Sequence, residues 1–283
     1  MRNQNITIVL LCIVGFAVSG FGQKDGMLTR KITRSDKFGF GAGGTVSVTG
    51  APQGNIEIVG GLTNEIEITA QIELKASSQD ELSQLEVVTG FATDETNLKT
   101  AVISVGTNNK LGDKKMWKKF PKKLLGLPYR IDYVIKVPKY ADLEIEGGVG
   151  ALSITGVQGS MRINFLETNA HIDTISGSLM ATIASGTVDV RLGVKGWAAR
   201  PAVIQVGKGD LTVRLPSNAS ADIDARVLRT GTIENSLPDL KQQDRKVAFT
   251  DKSIIAKAGF GGTEIKFTVG DGTLRLERLA GTN

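Results

Sequence analysis

The chain has 283 residues and a formal net charge of +5 at pH 7, and it is long enough for one large domain or two modest domains with a real core. Glycine is abundant (34 residues), proline is scarce (seven) and aromatic residues make up only 5% of the chain, which with many Val, Ile and Thr residues favours an all-β fold. One histidine and one cysteine exclude a Cys/His metal site and a Cys–His nucleophile pair, and we expect no cofactor.

The first 22 residues are organised like a secretory signal peptide. Arg2 precedes an apolar run from Ile6 to Val18, and a segment rich in small residues, 19–22, follows it. The run is shorter than the about 20 apolar residues of a membrane span. We therefore predict removal of residues 1–22 and export to the periplasm, the outer surface or the medium. Cys12 is removed with the signal, so the mature protein has neither a thiol nor a disulfide.

Residues 23–137 are predicted to form a β-rich region with long, irregular strands. Most of these strands alternate polar and apolar residues, as strands with one face in water do. One short helix is predicted over Ser78–Leu85, because Ser78 and Glu81 have capping-box spacing and Leu82 and Leu85 share a face. The predicted strands are Thr45–Thr49, Asn55–Val59, Glu65–Leu74, Ala101–Val105 and Tyr129–Val137.

A basic insert, residues 110–130, interrupts this region. It contains seven Lys, one Arg and one Asp, so that the rest of the mature chain is net negative. Apolar side chains lie between the lysines, a combination suited to an anionic envelope lipid or polysaccharide. The alternative is a solvated hairpin loop whose aromatic side chains pack on the sheet; nucleic acid is not an expected partner of an exported protein. The residues predicted to contact an anionic surface are Lys114, Lys115, Trp117, Lys118, Lys119, Phe120, Lys122 and Lys123.

From Leu143 to Val190 the sequence repeats every nine residues. Apolar residues two positions apart recur in one register, as in strands that bury one face, and glycine recurs at a fixed offset, as tight turns require. Alternate arms match better than adjacent arms, which indicates an eighteen-residue unit of two arms. The apolar pairs are Leu143/Ile145, Leu152/Ile154, Met161/Ile163, Ala170/Ile172, Leu179/Ala181 and Val188/Val190, and a third apolar column follows at Val157, Leu166, Ile175 and Ala184.

A short, fixed period of strand and turn indicates a β-solenoid, in which each arm buries its apolar side chains by stacking on its neighbours. We predict that residues 138–283 form this solenoid, after the irregular region 23–137. Whether two or three arms complete one turn is left open by the sequence.

Recurring sequence motifs give the chain a resemblance to a known family. The Gly-x-apolar-x-apolar motif recurs outside the strict register, and two Pro-containing segments flank the repeats: VPKYADLEI and LPSNASADIDA. These features resemble the DUF4097 family of bacterial exported β-strand-repeat, adhesin-like proteins. The recurrences and the two segments are Gly54–Ile58, Gly150–Ile154, Gly186–Val190, Gly209–Val213, Gly272–Leu276, Val137–Ile145 and Leu215–Ala225.

The resemblance covers most of the mature chain and is strongest from Val137 to Ile233. It implies an all-β repeat fold and an exported, adhesin-like protein. The sequence departs from the family pattern at the Asn that precedes the turn glycine, where it has Val149, Ser185 or Lys208. The family has no established catalytic residues, so the resemblance implies a fold rather than an activity.

Three other features of the sequence contain residue types that are used in binding or catalysis. The glycine spacing of Gly39–Gly44 matches the dinucleotide-binding fingerprint. However, a predicted strand follows it, whereas a dinucleotide-binding site needs a helix there. His171, the single histidine, lies between two inward-facing residues of an arm and is expected to face solvent. Asp222 and Asp224 share a face of a predicted strand, which is typical of a solvated strand as well as of a carboxylate pair.

These observations predict a non-enzymatic exported envelope or cell-surface protein. Its adhesin-like β-solenoid is predicted to have a binding or a structural role. The alternatives are a carbohydrate-active enzyme on a β-helix face and a periplasmic component of envelope-stress signalling. An enzyme of that kind needs clustered Asp, Arg or Lys in one groove, whereas the arms carry Ser153, Asn164 and Thr182 outward.

The signal peptide gives the first testable prediction. We expect the exported protein to begin at Gln23, because Gly20 and Gly22 occupy the positions that favour cleavage. Intact mass and N-terminal sequencing of material from the periplasm or the medium measure this. Retention of Met1 in exported protein would contradict it.

Overall fold

The computed structural model describes residues 26–41, 43–96, 98–107, 121–193, 201–244 and 248–279; the predicted signal peptide lies outside them. Within these ranges the chain is all-β, as predicted, with one α-helix, α1 (Gln79–Val88), and a short 3-10 helix (Lys122–Leu124). Hydrogen bonds join the described strands into one sheet. The strands are β1 (Leu28–Gly39), β2 (Thr45–Thr49), β3 (Ile56–Gly61), β4 (Glu65–Ala76), β5 (Gly90–Glu95), β6 (Lys99–Val105), β7 (Tyr129–Pro138), β8 (Asp142–Val149), β9 (Leu152–Val157), β10 (Met161–Thr174), β11 (Leu179–Leu192), β12 (Ala202–Leu215), β13 (Ala221–Val227), β14 (Ile233–Asn235), β15 (Lys241–Gln242), β16 (Ser253–Ala258), β17 (Glu264–Asp271) and β18 (Leu274–Arg278).

The predicted helix is confirmed. The Ser78 hydroxyl caps α1 by accepting a hydrogen bond from the Glu81 backbone N–H (3.2 Å), and the Glu81 carboxylate accepts one from the backbone N–H of Ser77 (3.0 Å). Leu82 and Leu85 are both buried. The capping box therefore holds the start of the helix while its apolar face packs on the sheet.

Parallel strands stack in two columns. β10, β11 and β12 are each 14 residues long, and each contributes its first half to one column and its second half to the other. Column A contains β2, β8, the first halves of β10–β12, β17 and β13; column B contains β3, β9, the second halves, β18 and β14.

The register shows the predicted eighteen-residue repeat. Met161 lies opposite Leu143 on one side and Leu179 on the other, and Ala170 lies opposite Leu152. Both members of all six predicted apolar pairs are buried in a single core. Because the columns share that core, each arm contributes two or three apolar side chains to it and leaves the intervening side chains outside.

The third apolar column is buried only in part. Val157 is buried, but Leu166 and Ile175 are 61% and 44% exposed and Ala184 is exposed as well. Leu166 and Ala184 lie at the corner where β10 and β11 turn from column A to column B. At such a corner the chain moves away from the core, so an apolar residue there does not continue the buried row.

Parallel pairing extends to both sides of residue 138. β2 pairs in parallel with β8, and β3 with β9, so the strands before Pro138 continue both columns. Antiparallel strands lie beyond the parallel ones: β5 on β6, and β4 between β1 and β7, toward one end, and β16 between β13 and β15 toward the other. The division at residues 137 and 138 stays a prediction, since hydrogen bonding alone does not define a domain.

Stacked corners explain the Gly-x-apolar-x-apolar motif. Gly186, Gly209 and Gly272 have φ values of +129°, +130° and +140°, which side-chain-bearing residues rarely adopt. A Cβ atom on Gly209 would lie 1.9 Å from the Gly186 carbonyl oxygen, and one on Gly272 would lie 1.9 Å from that of Gly209. Each corner therefore needs glycine both for its backbone conformation and for the close approach of the next strand.

Substitution of a corner glycine should destabilise the protein strongly. We expect Gly209→Ala to lower the free energy of unfolding by about 2 kcal/mol or more, because conformational strain and a backbone clash add. Gly126→Ala is the matched control: its φ is +80° but its Cβ would meet nothing within 4 Å, so about 1 kcal/mol of strain is expected. Urea unfolding of the mature protein measures both. Equal losses would show that corner stacking does not require glycine.

Candidate functional site

The basic insert is described only at its C-terminal end. Lys114, Lys115, Trp117, Lys118, Lys119 and Phe120 lie outside the described residues, whereas Lys122 and Lys123 form the start of the short 3-10 helix. Leu124 in the same turn is fully buried. The apolar side chain therefore fixes this end of the insert on the body of the protein while both lysines stay at the surface.

The two described lysines differ in their partners. The Lys123 ammonium donates to the Asp80 carboxylate of α1 (2.9 Å), and this hydrogen bond lowers the pKa of Asp80 below its ordinary value. Lys122 is exposed and forms no ion pair within the described residues. Lys123 thus attaches the insert to α1, and Lys122 is the lysine of this turn that is available to an anionic partner.

The base of the insert is held by hydrogen bonds beside the ends of β6 and β7. The Thr107 hydroxyl donates to the Leu127 carbonyl (3.1 Å), and the Lys75 backbone N–H donates to the Pro128 carbonyl (3.2 Å). The insert therefore leaves the sheet between β6 and β7, next to α1 and at one end of column B.

The outer face of column B brings together residues that are far apart in sequence. Five half-buried side chains lie side by side on consecutive strands, in a line we call the His171 row: Ser153, His171, Asp189, Thr212 and Arg275. His171 is on the outer face as predicted, but it is half-buried rather than fully solvated. Ser153, His171 and Asp189 are eighteen residues apart, so the repeat itself could have aligned them.

Two arginines connect the strands of this face through ion pairs. Arg214 donates to the Asp189 carboxylate and lies 3.1 Å from that of Glu277. Arg275 lies 3.0 Å from the Asp210 carboxylate and 2.8 Å from that of Glu234. Hydrogen bonds with Asp189 and Asp210 raise the pKa values of Arg214 and Arg275, respectively. Four carboxylates that are far apart in the sequence, Asp189, Asp210, Glu234 and Glu277, are therefore paired with arginines on neighbouring strands.

Ser153, His171 and Asp189 have the residue types of a nucleophile–base–acid triad but not its contacts. Among the described residues no side-chain hydrogen bond joins His171 to either neighbour, and one Asp189 oxygen is held by Arg214. The backbone N–H groups of these strands donate within the sheet, whereas acyl transfer needs free donors for the oxyanion. The three side chains therefore lie in one row of the outer face without the contacts of a catalytic triad.

Asp222 and Asp224 lie on the outer face of β13, as predicted, with different partners. Asp224 pairs with Arg226 (2.6 Å), and Asp222 accepts from the Gly262 backbone N–H (3.3 Å). No group of three or more His, Cys, Asp or Glu side chains in the described ranges is arranged to hold a metal ion. In the same ranges no helix is long and apolar enough to cross a membrane. The strand that follows Gly39–Gly44 is β2, as expected.

Comparisons with known proteins give matches of low sequence identity and low TM-score. No family model and no curated protein matches the chain. Among solved structures, a "putative cell adhesion protein" from Clostridium sporogenes is 13% identical, with a TM-score of 0.44 over 87% of this chain and 100% of that one. A "putative adhesin" from Bacteroides fragilis is 12% identical, with a TM-score of 0.34 over 92% and 100%.

A second "putative adhesin", from Parabacteroides merdae, is 9% identical, with a TM-score of 0.20 over 86% of this chain and 95% of that one. Identities and scores of this size assign no function to this chain. Membership of the DUF4097 family stays a prediction, because it depends on the sequence resemblance alone.

The ion pairs of column B predict a dependence of stability on pH. Asp210 accepts from the Thr273 backbone N–H (3.0 Å) and from Arg275, and these bonds lower its pKa below 3.8. Since the folded-state pKa is lowered, the stabilisation is present above the unfolded-state value and is lost as pH falls through the folded-state value.

We expect Asp210→Asn to lower the free energy of unfolding by up to about 1 kcal/mol at pH 7, because the pair is partly exposed to solvent. The difference from the parent protein should shrink as pH falls below about 4, the ordinary pKa of an unfolded aspartate, because protonation of Asp210 removes its stabilising charge. Asp251→Asn, at an exposed carboxylate, is the control and should change little at either pH. A loss that is as large at pH 2 as at pH 7 would contradict the electrostatic explanation.

Proposed function

We propose that the chain is a non-enzymatic, exported protein of the bacterial envelope or cell surface, and that columns A and B form an adhesin-like β-solenoid. In-register parallel pairing, from β2 to β13 in column A and from β3 to β14 in column B, carries the proposal. This pairing builds two extended faces with regularly spaced side chains. Such faces suit the binding of large, extended partners. The sequence resemblance to the DUF4097 family supports the same interpretation.

The state of the polar groups on column B supports a binding or structural role over catalysis. Enzymes keep reactive groups in clefts, often with shifted pKa values near neutrality. Here Asp189, Asp210 and Glu277 are engaged by arginines across strands. Groups used in this way fix the shape of a surface.

The basic insert is the proposed contact with the envelope. Leu124 and the Lys123–Asp80 ion pair attach its end to the body of the protein. Six lysines lie between positions 114 and 123, with Trp117 and Phe120 among them. Like charges so close together repel each other in water, and an anionic lipid or polysaccharide surface converts that repulsion into attraction.

Vesicle binding tests this contact. We expect the mature protein to sediment with vesicles that contain anionic phosphatidylglycerol and not with neutral phosphatidylcholine vesicles. Binding should fade as salt rises, because the Debye length falls from about 10 Å at 0.1 M to about 3 Å at 1 M. Replacing the six insert lysines by Gln should abolish binding without lowering the melting temperature. They are Lys114, Lys115, Lys118, Lys119, Lys122 and Lys123.

A control variant removes the same charge elsewhere and should still bind. It carries Gln at Lys31, Lys139, Lys208, Lys241, Lys257 and Lys266. If both variants lose binding equally, net charge rather than the insert is responsible. If the parent protein ignores anionic vesicles at low salt, the insert is a solvated loop.

A further inference from the structure

The middle of the outer face of column A has a row of uncharged polar side chains. Asn164, Thr182, Gln205 and Thr268 lie side by side on β10, β11, β12 and β17, and we call them the neutral row. The first three are exposed and Thr268 is half-exposed. None of the four forms a side-chain hydrogen bond within the described residues, so their amide and hydroxyl groups are available to a ligand.

An apolar strip runs beside the neutral row. Met180 lies next to Thr182 on the same face of β11 and is 48% exposed, and Val203 lies opposite Met180 on β12. The surface thus combines hydrogen-bonding groups with apolar atoms on a flat area. Exposed apolar atoms beside polar groups are typical of binding surfaces.

Charged side chains border the neutral row at both of its ends. On one side Asn164 lies opposite the exposed Glu146 and next to the exposed Arg162, which faces Glu144. On the other side Thr268 lies next to Lys266, which pairs with Glu264 (2.7 Å), and opposite Arg226, which pairs with Asp224 (2.6 Å). The outer face of column B, by contrast, is crossed by arginine–carboxylate pairs. Because the flanking charges are of both signs, a ligand of either charge would be repelled by some of them, and on the neutral row itself it would leave water without gaining a partner of opposite charge. The charge distribution therefore matches an uncharged ligand.

We infer that the neutral row binds an uncharged polysaccharide that runs across the strands of column A. The side chains recur at the strand spacing of about 4.8 Å, which is comparable with the length of one pyranose unit. Each sugar presents hydroxyl groups that both donate and accept, and a C–H face that packs on Met180 and Val203. The inference deepens the proposed binding function by naming a ligand class, and it uses a different surface from the basic insert.

Affinity electrophoresis tests the inference with defined polymers. The mature protein is run in native gels that contain dextran, glucomannan or soluble starch, and in gels with anionic alginate. We expect retardation by at least one neutral polymer and none by alginate in 0.5 M NaCl. At this salt concentration the Debye length is about 4 Å, so the charges of the basic insert are largely screened. Gln205→Glu, a nearly isosteric change, should weaken retardation because it places a charge against a neutral chain.

Two substitutions on β11 form a matched pair. Thr182 and Thr187 are both exposed threonines of this strand, one on the outer face of column A and one on that of column B. Thr182→Glu should weaken neutral-polymer binding by about tenfold or more, the effect of about 1.4 kcal/mol, while Thr187→Glu should leave it within about twofold. Both variants should keep the parent's binding to anionic vesicles. Thr182→Glu should also keep its melting temperature, whereas Thr187→Glu should lower it slightly, because it places a carboxylate opposite Asp210.

Three outcomes would overturn the inference. One is failure of every neutral polymer to retard the parent protein, and another is equal loss of binding in both Glu variants. The third is a stable dimer, detected by sedimentation equilibrium, that Thr182→Glu alone dissociates, because the occupant of this face would then be a second copy of the chain. In each case vesicle binding through the insert is measured separately, so the proposed envelope contact stands or fails independently.

Discussion

In-register parallel stacking places equivalent positions of successive arms about 4.8 Å apart, and the rest of the structure depends on this constraint. An apolar residue at one inward position needs apolar residues above and below it, which explains the row from Leu143 through Met161 to Leu179. At the corners the same constraint brings backbone against backbone. Gly186 and Gly209 leave no room for a side chain there, so the motif that marks the sequence follows from how closely the arms stack.

The repeat made part of this architecture predictable. Alternation at two residues and recurrence at eighteen fix which side chains face the core, and the capping box at Ser78 and Glu81 fixes the start of the helix. The strands before Pro138 have no such period, so their addition to both columns was not foreseen. Leu166 shows a second limit: hydrophobicity does not distinguish an inward position from a corner. The Arg214–Asp189 pair was also missed, because β12 follows β11 at a different interval from the eighteen-residue repeat.

Charge on the outer faces is governed by the same geometry. If every arm carried the same charge at one position, the row would repel itself along its whole length. On column B the chain limits this repulsion by placing opposite charges on neighbouring strands, with Arg214 between Asp189 and Glu277 and Arg275 between Asp210 and Glu234. Arg191, which lies directly opposite Arg214, is the exception. Each exposed pair contributes at most about 1 kcal/mol. Their more important effect is to disfavour a shifted register, since a one-residue slip would turn these side chains toward the core.

The two outer faces limit charge repulsion between strands in different ways, and this difference bears on function. Column B uses its charges within the protein, which leaves few of them for a partner. Column A, around Thr182 and Gln205, avoids repulsion by having no charge, which leaves hydrogen-bonding groups unused at a regular spacing. A ligand that repeats along its own length can engage several such groups at once, and weak contacts then add up to useful affinity. A stack of similar arms is therefore suited to holding polymers, whereas a single small ligand would contact only one or two arms and gain little from the repetition.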